Sequence, residues 1–478
     1  MAVSALGRVQ AIRGDLAHLM DEQERSMSNP GEADLTPIES ARDLAGWFAA
    51  GSKPRADWRV GTEHEKFGFH RDTFLPPAYE PTTHGAGGIA ALLEGLTAKG
   101  WERIEDSGKI IGLKRGEASV SLEPGGQFEL SGAPVATIHE TEAELADHLR
   151  DLHEVAEPLG IGFAGLGFHP TSTRDAMPWM PKTRYAIMRN YMPQVGDMGF
   201  DMMLRTCTVQ ANLDFGDEAD MVEKLRVSLA LQPLATALFA NSPFREGEAT
   251  EYRTLRGQVW TRTDPDRTGI PPVAFEDGFG FERFADHVLD VPMYFVMRDG
   301  RFVDATGTTF RAFMAHGLPD DPAIRATMGD WADHVTTVFT DVRLKRFLEM
   351  RGADMGSAAM VPALAAFWVG LLYDDAALKA ASALVRPWSV AQLQALRSDV
   401  PMRALDAVIG GVPLAEVARD VLTIAREGLR ARGQGEGRFL EPLERIAAGG
   451  ETQADHWLRR NSGEWAGDVS RVFGEAEL

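Results

Sequence analysis

A chain of 478 residues with a formal net charge of -21 and a pI near 5.0 can bury a large core, but it is too acidic for a polyanionic partner. Nucleic acid and anionic membranes both select basic patches, so neither is expected to bind it. The 44% hydrophobic and 25% charged content is that of a soluble globular protein. Its single cysteine, Cys207, allows no intrachain disulfide and suits a reducing, cytoplasmic location.

Residues 1–34 carry one weak amphipathic stretch and then a polar linker with Pro30 and Gly31. They read as an N-terminal extension, with Met27 an alternative start. Arg8, Gln10, Arg13 and Asp15 interrupt any secretory h-region, and no run of 18 apolar residues predicts a membrane span. Residues 35–478 read as one large domain whose portion beyond about residue 356 is almost wholly helical.

Helical spacing over 37–50 leads to a strand at 60–69, VGTEHEKFGF. Side chains alternate along a strand, so Glu63 and Glu65 share one face, with His64 and Lys66 on the other. Two like charges side by side call for a cation between them. A helix is predicted over 85–100 and two short strands over 101–116. At 121–132, SLEPGGQFELSG, a strand interrupted by Pro124-Gly125-Gly126 places Glu123, Gln127 and Glu129 on one face. Helix 137–159 and an apolar strand at 161–169 follow.

The stretch 180–199 gathers Lys182, Arg184, Tyr185, Arg189 and Tyr191, a basic and aromatic run that an acidic protein would keep to bind phosphate or carboxylate. The strand predicted at 204–215 sets Thr206, Thr208, Gln210, Asn212 and Asp214 against Cys207, Val209, Ala211, Leu213 and Phe215, with Arg205 at its beginning. Helix 218–240 precedes a second basic cluster of Arg253, Arg256, Trp260 and Arg262. A hairpin turns at Asp299-Gly300. A last strand at 343–354 carries Glu349 and Arg351 on one face. Helices at 363–373, 376–384, 390–397, 414–432 and 439–447 complete the chain. The expected fold class is α+β: antiparallel strands form one acidic concave face, with helices outside. Inward carboxylates from three separate segments suit a multi-metal phosphoryl-transfer site.

Nine blocks carry a family resemblance: GTEHEKFGF (61–69), LEPGGQFELSGAP (122–134), MPKTRYAIMRNYMP (180–193), MMLRTCTVQANLDF (202–215), ALFANSPF (237–244), WTRTDPDRTG (260–269), DVPMYF (290–295), VRLKRFLEMRGAD (342–354) and AFWVGLLYDD (366–375). In this order the chain resembles the glutamate–cysteine ligases of the plant and proteobacterial type. The resemblance implies a funnel-shaped antiparallel sheet like the glutamine synthetase catalytic domain. It also implies ATP-dependent joining of the γ-carboxylate of L-glutamate to L-cysteine through γ-glutamyl phosphate, the first step of glutathione synthesis. ATP and Mg²⁺ are the implied cofactors, the partners are these small molecules, and the protein is a monomer or homodimer.

On this reading Glu63, Glu65, Glu123, Glu129 and Glu349 would hold the metal. Arg189, Arg256 and Arg351 would neutralise moving charge. Gln127, Arg184, Tyr185, Arg205, Gln210, Asn212 and Trp260 would bind the substrates. Plant members use extra cysteines for redox control; here the matching places hold Glu142, Ala305 and Asp320, so that control is expected to be absent. A ligase of the same fold joining glutamate to another amine, and a non-catalytic nucleotide or metal binder, are the alternatives.

Overall fold

A computed structural model describes residues 34–81 and 87–478. The predicted extension at 1–34 lies outside the described residues except for Asp34, as does the beginning of the helix predicted at 85–100.

A nine-stranded sheet organises the rest. Its strands are β1 (Val60–His70), β2 (Glu102–Asp106), β3 (Lys109–Arg115), β4 (Ala118–Leu122), β5 (Phe128–Ser131), β6 (Ile161–Ala164), β7 (Thr208–Leu213), β8 (Val342–Leu344) and β9 (Leu348–Asp354). Their order is β8-β9-β7-β1-β5-β4-β3-β2, every pair antiparallel, and β6 pairs with the far end of β1. The alternation at 60–69 survives intact: His64, Lys66, Cys207, Val209, Ala211 and Leu213 lie on the face opposite Glu63 and Glu65, and all six are buried. That reverse face is covered by helices, among them Met360–Leu372, whose every residue is buried.

Residue size sets how closely that helix is held. A Cβ on Gly370 would stand 2.3 Å from the Ala425 carbonyl oxygen, and one on Gly428 only 1.9 Å from that of Gly370. Only glycine lets the helices Met360–Leu372 and Leu414–Arg432 cross so closely. Among the described residues no single helix is long and apolar enough to cross a membrane.

Two readings of local structure change. The segment at 121–132 is a hairpin, with β4 and β5 paired Ser121 to Glu129, because Gly126 takes φ +85° and reverses the chain. The segment at 204–215 begins as helix: Leu204 and Arg205 end the helix Gly199–Arg205, and the strand starts at Thr208.

Candidate active site

The sheet's register builds the site in rows. One row runs Ser121–Glu129–Glu65, the next Ser131–Glu63–Gln210, and the third Gly61–Asn212–Glu349–Arg343. Over this face opens a cavity whose non-atom space, open solvent included, is about 690 Å³. Glu63, Glu65, Glu123 and Glu129 form its acidic wall, and Arg256, Arg343 and Arg351 line it too. Met188, Met202, Met203, Trp260 and Phe339 supply an apolar side.

Hydrogen bonds fix these carboxylates. Asn212 Nδ2 donates to Glu63 Oε1 at 2.8 Å, the Thr208 backbone N–H to Glu65 Oε2 at 2.9 Å, and Ser121 Oγ to Glu129 Oε2 at 2.7 Å. Burial pushes the Glu63 carboxyl up to about 7, with Glu349 and Glu129 adding repulsion. Burial likewise raises Glu65 well above the carboxylate range, helped by Glu123 and Glu129. Crowding and burial thus make full ionisation of the wall costly unless a cation shares it.

Behind it, on the reverse face, Lys66 is fully buried, with Nζ 2.8 Å from His64 Nδ1. Burial lowers Lys66 to about 7.

Polar atoms without partners mark where a ligand would be held. Gln127 Nε2 donates to the carbonyls of Met203 and Thr206, but its Oε1, the Gln210 Oε1 and the Asn212 Oδ1 find no hydrogen-bond partner among the described residues. The same holds for Nε and Nη2 of Arg184 and for Nε and Nη1 of Arg256, both buried side chains. Tyr185 lines the cavity and donates its hydroxyl to the Leu122 carbonyl at 2.6 Å. Arg184 lies 5.2 Å from the Tyr185 ring centroid, and Lys182, buried beside it, feels Glu123 and Glu129.

Five expected residues are not among those lining the cavity: Arg184; Asn212, which is bonded to cavity-lining Glu63; and Glu349, Arg189 and Arg205. Glu349 is not among the cavity-lining residues; it accepts from Arg343 Nη2 at 2.6 Å and Arg351 Nη1 at 2.7 Å, and Lys345 Nζ lies 2.9 Å away. Burial pushes Glu349 upward, but the three cations outweigh it and hold the carboxyl well below the carboxylate range. Its carboxylate is thus paired with three cations, whereas Glu63, Glu65, Glu123 and Glu129 line the cavity.

Arg189 is exposed and lies 4.7 Å from the Trp179 ring centroid, one residue beyond cavity-lining Met188 on the helix Tyr185–Val195 and rotated by about 100°. Arg205 is buried away from the cavity, donating to Asp201 at 2.8 Å, to Glu246 at 2.8 Å and to the Ser172 carbonyl at 3.0 Å. It holds the helix Gly199–Arg205 against its neighbours.

Conversely, Arg343, Lys345, Thr208 and Phe339 belong to the site's fabric without having been singled out as site residues. Their signal is cross-strand pairing, with Arg343 opposite Glu349, which sequence spacing does not carry.

The donors suit Mg²⁺, a hard cation that takes carboxylate oxygens. No group of three or more acidic, histidine or cysteine side chains closes to metal-ligand spacing among the described residues. Mg²⁺ is commonly held by one or two carboxylates, with water and substrate phosphate completing its shell, and the wall fits that arrangement.

Comparison with known proteins bears on what this wall serves. The family model "Glutamate-cysteine ligase family 2 (GCS2)" matches residues 59–475. The chloroplastic glutamate–cysteine ligase of Brassica juncea is 51% identical over 94% of this chain and 86% of that protein. The Arabidopsis thaliana protein of the same name is 48% identical over 99% and 91%. A crystal structure of glutamate–cysteine ligase from Francisella tularensis in complex with AMP shares the fold, with a TM-score of 0.52 over 87% of this chain and 88% of that one at 10% identity.

The expected cytoplasmic location is corrected by these relatives. Those from Brassica, Arabidopsis, rice and tomato are all named chloroplastic. With a family match over nearly all of its described length and plant relatives about half identical, the chain belongs to glutamate–cysteine ligase family 2.

Proposed function

We propose how the cavity serves glutamate–cysteine ligation, the first step of glutathione biosynthesis, which family membership assigns to the chain. ATP phosphorylates the γ-carboxylate of L-glutamate, releasing ADP. The amine of L-cysteine then attacks the γ-glutamyl phosphate, and phosphate leaves as the amide of γ-glutamylcysteine forms. Glu63, Glu65, Glu123 and Glu129 would hold Mg²⁺, which when bound offsets the charge of the phosphate oxygens.

Arg256 and Arg351, which line the same cavity, neutralise carboxylate and phosphoryl charge as it moves. Gln127 and Gln210 turn their unpartnered Oε1 atoms to the ammonium groups of the amino acids. Arg184, a buried side chain next to cavity-lining Tyr185 with two nitrogens that find no partner among the described residues, binds an anionic group of the substrates.

The observation that carries this reading is the meeting of four carboxylates and three arginines on one cavity that also holds unpartnered buried polar atoms. The test supplies glutamate, ATP and Mg²⁺ with one amine at a time and follows ADP and dipeptide. Cysteine should give both in equal amounts; turnover with another amine but not with cysteine would overturn the acceptor assignment. Glu65→Gln should lower turnover by at least about a hundredfold, the scale of one preorganised charge contact, and near wild-type turnover would remove the metal role.

A further inference from the structure

Alternation counted from Glu349 would send Asp354 to the reverse face of the sheet. A bulge in β9 between Met350 and Ala353 takes up one residue, so Asp354 lies opposite cavity-lining Thr208 instead. It is fully buried and does not itself line the cavity. A carboxylate in that position needs hydrogen-bond donors, and three meet it. Ser242 Oγ donates to Asp354 Oδ2 at 2.6 Å and the Asn241 backbone N–H donates to the same oxygen at 2.9 Å. Thr254 Oγ1 donates to Oδ1 at 2.9 Å.

Both hydroxyls pass this contact on to one helix, Leu255–Trp260, which carries Arg256 and Trp260 to the wall of the ligation chamber. A hydroxyl has a single proton, and Asp354 takes it, so each oxygen is left to accept from elsewhere. Ser242 Oγ accepts from the Arg256 backbone N–H at 3.1 Å. Thr254, the helix's N-cap, accepts from the Gly257 N–H at 3.0 Å.

The Arg256 guanidinium has little else to aim it. Its Nη2 donates to the Arg351 carbonyl at 2.9 Å, while Nε and Nη1 have no partner among the described residues. Where the side chain points therefore depends on how its backbone is held. Burial lowers the basicity of Arg256, and the charge of Asp354, followed by that of Glu65, opposes this. One carboxylate thus both fixes the start of the helix and balances the arginine on it.

We infer that Asp354 is a positioning residue for the ligation: through the hydroxyls of Ser242 and Thr254 it sets the helix that aims Arg256 into the chamber. This rests on the ligase reading above. Asparagine at this position would turn an NH₂ group toward one of the two hydroxyls, whose proton would then lack its acceptor. The relay to that end of the helix would be lost while the side chain kept its size.

The test is a double-mutant cycle on the full chain. ADP release with glutamate, cysteine, ATP and Mg²⁺ is measured for wild type, Asp354→Asn, Arg256→Met and the double variant, at enzyme concentrations high enough to follow slow turnover. Urea midpoints show that each is folded. Asp354→Asn should lower turnover by about tenfold to a hundredfold, the scale on which a small displacement of a reacting group acts. In the Arg256→Met background the same change should cost no more than about twofold, because the group it aims is gone. Thr254→Val should lose turnover and Thr254→Ser, which restores the hydroxyl, should recover it.

If Asp354→Asn does not fold, Ser242→Ala takes its place in the cycle with the same expected outcome. An equal loss with and without Arg256 overturns the positioning role, since a merely structural residue would act in both backgrounds. So does wild-type turnover in the folded single variant, or a Thr254→Ser variant as impaired as Thr254→Val. Wild type that releases no ADP overturns the ligase reading and this one with it.

Discussion

Replacing Glu63 by glutamine should stabilise the protein while disabling it. The Glu63 carboxyl is pushed from 4.5 up to about 7 by burial first and by Glu349 and Glu129 next. At about 1.4 kcal/mol for each pH decade, that rise corresponds to roughly 3 kcal/mol by which folding disfavours the ionised group. The sign follows from proton binding: the folded state holds this proton more tightly than the unfolded chain. Below about pH 4.5 both states are protonated and nothing is lost. As pH rises through about 7 the folded state must ionise against its surroundings, and the whole amount is lost.

Glutamine has no charge to lose, and its Oε1 still accepts from Asn212 Nδ2 as the carboxylate does at 2.8 Å. Urea midpoints of metal-free, nucleotide-free wild type and Glu63→Gln at pH 5, 6, 7 and 8 would test this. The variant should gain on wild type as pH rises and lead by up to roughly 3 kcal/mol at pH 8, while turnover falls by at least about a hundredfold. A variant less stable than wild type at pH 8, or a difference independent of pH, would refute the reasoning.

Glu349→Gln should do the opposite. It strips the shared carboxylate from Arg343, Lys345 and Arg351 and should lower stability by about 3–5 kcal/mol, read as a shifted denaturant midpoint. Because the native carboxyl is held low, that contribution is present above about pH 4.5 and lost as pH falls below it; an unchanged midpoint at pH 7 would contradict the ion cluster. Arg189→Ala should leave kcat/KM within about twofold, as a surface change does, whereas Arg184→Ala should cost about tenfold or more. Equal losses from the two would return Arg189 to the site. Cys207 is fully buried, and burial holds its thiol well above the usual range, so Cys207→Ala should keep most activity and oxidants should leave monomer mobility on non-reducing gels unchanged. An active-site thiol would show itself as lost activity in a folded variant.

What the chain reveals before folding depends on the range of the signal. Alternation is local, so the face shared by Glu63 and Glu65, and the burial of His64 and Lys66 behind it, can be read directly from 60–69. Gln127 and Glu129 reach the cavity even though the segment at 121–132 is a hairpin, because Gly126 reverses the chain between two acidic edges. Other placements follow from helix direction and strand register. Arg205 ends a helix, where Asp201, four residues back, pairs with it. Register brings Arg343 opposite Glu349, a pairing that alternation alone does not show. Arg189 lies on the exposed side of the helix Tyr185–Val195, one residue past cavity-lining Met188.

The position of β7 at the centre of the sheet also bears on how the protein reaches its native state. Asn212 meets Glu63 from 149 positions away in the chain, and Thr208 meets the Arg351 carbonyl from 143. No half of the chamber is built from neighbouring sequence. Two long loops must close onto one six-residue strand before the chamber is complete, and their closure entropy is lost before those contacts form. The chamber should therefore appear late during refolding, with recovery of ligase activity lagging well behind formation of the C-terminal helices, whose own hydrogen bonds span only four residues.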